Sequence, residues 1–183
     1  MHASSPLKPE YPQAASFMAA APENYRRWHG AAPRPVARIV IHITDGHEDL
    51  ARPVARFQQA GVKASPHYIV GQDGTVVQMV RHDDIAWHAS EANATSIGIE
   101  HVARSPGELG PKDPGLPLRE AQYAASARLV RWLCERYHLP IDRSTIVGHC
   151  EAAKTSHSDC PNRIWDWGAY MQRVQQAGDG SVP

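Results

Sequence analysis

Apolar positions along this chain fall into blocks of two different periods. From Arg38 to Ile43 the run RIVIHI is rich in β-branched residues and almost continuously apolar, the pattern of a strand covered on both faces. After a polar break, Pro53 suits the first turn of a helix through Ala60, with Val54 and Phe57 on one face and Gly61 as its stop. HYIVGQDGTVVQMV, residues 67–80, holds two apolar stretches around Asp73-Gly74, a hairpin signal because glycine tolerates the positive φ of a tight turn. SIGIEHV, residues 96–102, reads as a further short strand, and the Pro and Gly density from Pro106 to Pro117 marks a loop. The clearest helix runs from about Leu118 to Tyr137, where Val130, Leu133, Cys134 and Tyr137 repeat at the spacing of a buried stripe. STIVGH is a last strand, and IWDWGAYMQRVQQAG predicts a terminal helix with Ile164, Met171 and Val174 inward.

The resulting order is strand, helix, hairpin, strand, helix, strand, loop, helix, without internal repeats. It predicts an α/β fold, a central mixed sheet flanked by helices. Residues 1–35 are rich in Pro, Ala and Ser without sustained periodicity, so residues 1–37 read as an extended arm able to wrap the domain, with a turn of helix in PENYRRW. The domain proper then spans 38–177, followed by a tail at 178–183.

Composition narrows the function. With 183 residues, 42% of them hydrophobic, the chain suits one domain with a sizeable core. Lys+Arg and Asp+Glu both number 19, so no global basic field points to nucleic acid or an anionic membrane as partner. The apolar runs are too short to span a bilayer. The first residues lack the basic and apolar regions of a secretory signal, which leaves a cytoplasmic location or export by another route. Three cysteines, Cys134, Cys150 and Cys160, are an odd number without regular spacing, contrary to a disulfide framework.

The candidate chemistry lies in the histidines and in IVGHCEAAKTSHSDCPN, residues 146–162. His42 and His149 each end an apolar run, RIVIH and TIVGH, where a sheet edge would hold them rigidly enough to converge. Zinc accepts imidazole nitrogen, thiolate and carboxylate oxygen, and HSDCP offers a third ligand from a loop. Two rivals stand beside this reading. The histidines could be ordinary strand-end residues, or Cys150 or Cys160 could be a nucleophile with a nearby His as base. A strand continuing through His149 and Cys150 would point them to opposite faces, which counts against that pair as a dyad.

RIVIHIT, SPHYIVGQDGTVVQMVRHDDIAWHA, TSIGIEHV, IVGH and HSDCPNRIWDW occur in the order and spacing of a known family. They resemble the zinc-dependent N-acetylmuramoyl-L-alanine amidases of the type-2 group, which includes the peptidoglycan recognition proteins. The likeness runs from about Arg38 to Met171. It implies a mixed sheet flanked by helices, one zinc ion per chain, and hydrolysis of the bond between N-acetylmuramic acid and L-alanine in peptidoglycan or muropeptides. By position it assigns His42, His149 and Cys160 to the metal, the third ligand being Cys in some members and Asp in others. It assigns Glu100 as general base and His88 to the substrate groove.

Two departures from the family pattern stand out. Pro66 occupies the place of a catalytic tyrosine found in phage and animal members. Ser158 stands two residues before the third ligand, where members carry Lys or Thr, so Ser158 is the expected catalytic partner of Glu100, with His157 or Lys154 able to replace a lysine there. Trp87 and His157 are expected to contact substrate, Trp87 as a flat wall for a sugar face or else as core, and Asp159 to orient a ligand or stand as a loop acid. Three intact ligand candidates favour an enzyme over a non-catalytic muropeptide-binding domain, and chelator sensitivity separates it from a cysteine amidase. The expected setting is the bacterial cell wall, the expected state a monomer.

Overall fold

The computed structural model describes residues 8–46, 49–155 and 157–178. The strands are β1 (Ser16–Phe17), β2 (Tyr25–Arg26), β3 (Arg38–Ile43), β4 (Tyr68–Val70), β5 (Val76–Gln78), β6 (Ile85–Ala86), β7 (Ser96–His101) and β8 (Ile146–Gly148). The helices are α1 (Ala51–Phe57), α2 (Glu120–Tyr137), α3 (His149–Ala152) and α4 (Trp167–Gln176). The main sheet has the order β1-β5-β4-β7-β3-β8, with β4 and β5 antiparallel and the other pairs parallel, while β2 and β6 form a separate antiparallel ribbon. This is the mixed sheet with flanking helices expected above.

Alternation along the central strands decides where chemistry can occur. In the parallel register of β3 with β7, His42 lies beside Glu100 and Ile41 beside Ile99, and register partners on adjoining strands share a face. One face therefore carries Ile39, Ile41, Ile43, Ile97 and Ile99, packed against Leu129, Val130 and Leu133 of α2 and Tyr170 and Val174 of α4. Each such aliphatic side chain contributes about 1.5–3 kcal/mol on full burial. The opposite face carries Val40, His42, Gly98 and Glu100; Val40 packs there with Ala89, Ala92 and Val147. The apolar run is apolar on both faces, as expected, with two polar residues interrupting only the second.

The structure departs from the sequence reading in local ways. Helix α1 ends at Phe57, short of Ala60, and Gly61 follows with φ +81. Strand β8 ends at Gly148, so His149 opens α3 instead of closing a strand, and the opposite-faces argument for His149 and Cys150 does not apply. Ile164 precedes α4, whose fully buried positions are Tyr170 and Val174 while Met171 is half-buried.

The N-terminal segment does more than wrap. It adds β1 to the edge of the main sheet and β2 to the ribbon, with Pro22–Asn24 forming the expected turn. Tyr11 is 3% exposed and packs on Trp132 at 5.3 Å between ring centroids. The Glu10 carboxylate accepts from Gln78 Nε2 at 2.6 Å and from the His82 N–H at 2.8 Å. Strands of two residues have too few positions to show a period. The tail expected at 178–183 lies, beyond Gly178, outside the described residues.

Candidate active site

Three segments meet at the C-terminal ends of β3 and β8. His42 comes from β3, His149 from the first position of α3, and Cys160 from the loop before α4. One ligand atom from each lies within 4.8 Å of the others. His42 and His149 have ring centroids 4.5 Å apart. Their convergence depends on the turn after β8, where the Glu151 carboxylate accepts the Gly148 N–H at 2.6 Å and itself receives Arg143. The Cys150 N–H donates to the Cys160 carbonyl at 2.9 Å, tying the cysteine loop to α3. A Cβ at Gly148 would lie 2.8 Å from Pro161 Cδ, so only glycine lets the loop close this tightly over the strand.

Burial keeps these three groups in their neutral forms. Burial holds His42 well below the usual histidine range, with His88 adding, and lowers His149 to about 4, with His157 adding. Both imidazoles are therefore neutral near pH 7 and keep a lone pair. Burial pushes the Cys160 thiol up, and the nearby Glu100 carboxylate adds to this. A metal ion held by the sulfur would displace this proton, which leaves to solvent.

A chain of hydrogen bonds behind His42 selects its tautomer. The Ser96 hydroxyl donates to the Ala92 carbonyl at 2.7 Å, which leaves its oxygen to accept from His88 Nε2 at 3.2 Å. His88 Nδ1 then carries a lone pair and accepts from His42 Nε2 at 3.0 Å. By this network His42 Nδ1 is the bare nitrogen, free for a metal. Gly98 makes the arrangement fit: a Cβ there would lie 2.4 Å from the His88 ring. The Asn93 side-chain oxygen accepts the His88 N–H at 2.9 Å. On the other side of the sheet, His101 Nδ1 donates to the His42 carbonyl at 2.9 Å and its Nε2 accepts from Ser126 at 2.7 Å.

Glu100 stands beside His42 in the sheet register. Its Oε2 is buried without a hydrogen-bond partner, and its carboxyl is raised to about 8 by burial first, then by Asp45, against the opposing effect of Arg56. A cavity of about 520 Å3 holds His42, His149, Cys160, Glu100, Trp87, His88 and His157 in its wall, together with Asp45, Arg52 and Arg56. A second, more open lobe of about 570 Å3 shares Trp87, His88, His149 and His157 and adds Lys63, Ser90, Asn93, Lys154 and Thr155. The His157 ring is stacked on His149 at 5.5 Å.

Most of the expected site residues thus come together in one groove. Ser158 and Asp159 are exposed and line neither lobe. His88 lines the groove but spends both ring nitrogens on His42 and Ser96. All three cysteines are free; Cys134 is in the core and Cys150 lines neither lobe. The sequence reading missed Ser96, Asn93, His101, Arg52 and Arg56. Gly98 inside a strand was the one available signal, since an interior glycine marks a close approach.

A mixed sheet here brings together a His–His–Cys triangle able to hold a metal ion and a carboxylate with one buried, unpartnered oxygen. The chain belongs to the N-acetylmuramoyl-L-alanine amidase family, whose profile matches residues 32–163. N-acetylmuramoyl-L-alanine amidase A of Achromobacter lyticus is 27% identical over 167 residues, 82% of this chain and 89% of that protein. The 1,6-anhydro-N-acetylmuramyl-L-alanine amidase AmpD of Escherichia coli K12 is 32% identical over 125 residues, covering 64% of this chain and 62% of AmpD. Among solved structures, a selenomethionine AmpD derivative superposes with a TM-score of 0.67 at 24% identity over 89% of this chain and 95% of that one, a likeness of fold. AmiD of E. coli, solved with anhydro-N-acetylmuramic acid-L-Ala-D-gamma-Glu-L-Lys, matches with a TM-score of 0.65 at 27% identity over 81% of this chain and 61% of AmiD.

Proposed function

We propose that this amidase cleaves the bond between N-acetylmuramic acid and L-alanine in peptidoglycan or its fragments, with one zinc ion held by His42, His149 and Cys160 and Glu100 as proton carrier. The observation that carries the reading is a single cavity containing both the ligand triangle within 4.8 Å and the buried, unpartnered Glu100 Oε2. Two neutral imidazoles and a thiol are a donor set suited to zinc, which keeps a fourth position open in catalytic sites. When bound, zinc supplies Lewis acidity that polarises a carbonyl and acidifies water.

The remaining work falls to the side chains. Glu100, through its free oxygen, takes a proton from the attacking water and returns it to the departing L-alanine nitrogen. A proton affinity near 8 in the metal-free chain suits a group that must hold and release a proton close to neutrality, and a bound cation lowers it toward the ionised form. His157 and Lys154, at the rim of the outer lobe, supply hydrogen-bond donors near the developing oxyanion, the role for which Ser158 was the sequence candidate. Trp87, shared by both lobes, offers its face to a sugar ring. The substrate is a component of the bacterial cell wall, and among the described residues no helix is long and apolar enough to cross a membrane.

Mass spectrometry of muropeptides digested with and without chelator tests the reaction. Zinc-dependent appearance of free stem peptide is expected, and full activity in chelator overturns the zinc assignment. Glu100→Gln is expected to retain about one zinc per chain while lowering turnover by roughly two to four orders of magnitude, the worth of a general base.

A further inference from the structure

The inner lobe contains a pair of cations that amide hydrolysis does not require. Arg52 and Arg56 are four residues apart on α1, so they leave the same helix face about 6 Å apart, and both line the cavity of the ligand triangle. Both are exposed, and neither guanidinium has a hydrogen bond or salt bridge among the described residues. Four other arginines are engaged: Arg34 with backbone carbonyls, Arg104 with Asp113, Arg143 with Glu151 and Arg173 with Glu120.

Among the described residues, the wall of this lobe contains two carboxyl groups, Asp45 and Glu100, and neither forms a salt bridge with Arg52 or Arg56. Asp45 is engaged elsewhere, accepting the Ser105 N–H at 2.7 Å.

We propose that Arg52 and Arg56 form a carboxylate subsite that reads the free α-carboxylate of the second stem residue, a glutamate joined through its γ-carboxyl, and thereby disfavours stems in which that group is amidated. The inference rests on the amidase reading above. In the muramoyl peptide bound by AmiD, the γ-linkage of D-glutamate leaves its α-carboxylate free and ionised. It is the first charged group beyond the scissile bond, because the muramic carboxyl is consumed in the amide. In an extended chain it lies about 7 Å from the scissile nitrogen. Treated as a sphere, a cavity of about 520 Å3 is on the order of 10 Å across, so a carboxylate at that distance falls within the lobe. Two guanidinium forks on one face match the planar geometry of a carboxylate and hold it bidentately. The outer lobe, with Ser90, Asn93, Thr155 and the face of Trp87, suits the sugar side, which carries no ionised group at this position.

The test uses the zinc-loaded protein and two synthetic substrates, N-acetylmuramoyl-L-alanine linked to D-isoglutamate or to D-isoglutamine, identical except for carboxylate against carboxamide. The acid is expected to be favoured by roughly tenfold to a hundredfold in kcat/KM, the worth of charge-assisted hydrogen bonds, with the difference carried by KM. In the double variant Arg52→Gln, Arg56→Gln the ratio should collapse toward unity, while Lys63→Gln should preserve it. Equal use of both substrates by the native protein overturns the proposal, as does a preference that survives in the arginine variant or disappears in the lysine variant. Arginines acting only on helix stability or on the field at Glu100 would slow both substrates alike and leave the ratio intact, which also overturns it. Cleavage of neither substrate overturns the amidase reading itself.

Discussion

At the scale of residues, Cys160 and Asp159 are neighbours with different surroundings. The thiol is buried in the ligand triangle while the carboxylate is exposed. Cys160→Ser is therefore expected to abolish stoichiometric zinc in elemental analysis, and Asp159→Asn to retain it; the reverse result would make the carboxylate the ligand. His88 acts through its hydrogen bond to His42. Its lone pair at Nδ1 holds the proton of His42 on Nε2, and removing such a partner typically costs tenfold to about a hundredfold in metal affinity. A chelator-competition titration of His88→Ala should find that loss. Gly98→Ala should weaken zinc binding in the same direction, because its Cβ would occupy the space of the His88 ring.

At the scale of elements, the N-terminal segment is part of the sheet. Its strand β1 pairs with β5, and Tyr11 joins the cluster that includes Leu129 and Leu133 of α2. Truncating a buried aromatic leaves a cavity as well as lost transfer energy, so Tyr11→Ala should lower the unfolding free energy by about 3 kcal/mol in urea titration. A change below about 0.5 kcal/mol would make the segment a detachable arm. Helix α1 illustrates a different division of labour. Val54 and Phe57 pack inward on Ile69 and Met79, leaving Arg52 and Arg56 to the groove.

At the scale of the molecule, folding imprisons several histidines in neutral form. His82 sits between the hydroxyls of Tyr68 at 2.6 Å and Tyr137 at 2.7 Å. Burial lowers it to about 3, with Arg136 and Arg34 adding. Its unfolded value is about 6.5, so between these limits the unfolded chain binds the extra proton. Stability from this group is therefore complete above about pH 6.5 and declines as pH falls toward 3, by up to about 1.4 kcal/mol per pH unit. Urea unfolding followed from pH 7 to pH 4 should show this decline, and His82→Gln should reduce the slope by about one proton. An unchanged slope would mean that His82 is protonated in the folded chain or titrates alike in both states.

The long elements were legible in the sequence because each carries enough residues to display a period: RIVIHI as a doubly buried strand, Val130 to Tyr137 as a helical stripe, and Asp73-Gly74 as a turn. The ligand candidates were legible because histidine and cysteine are distinctive and because their blocks occur in a family order. Local pattern does not contain the pairing of two-residue strands such as β1 and β2, the helical start at His149, or the Ser96–His88–His42 relay, which depend on segments distant along the chain. Nor does it contain the placement of Arg52 and Arg56 along the groove, since an arginine on an amphipathic helix has the same pattern whether it faces bulk water or a groove. Those features arose from packing, where the closure of the cysteine loop over Gly148 and the fit of His88 over Gly98 selected one arrangement from many compatible with the same local preferences.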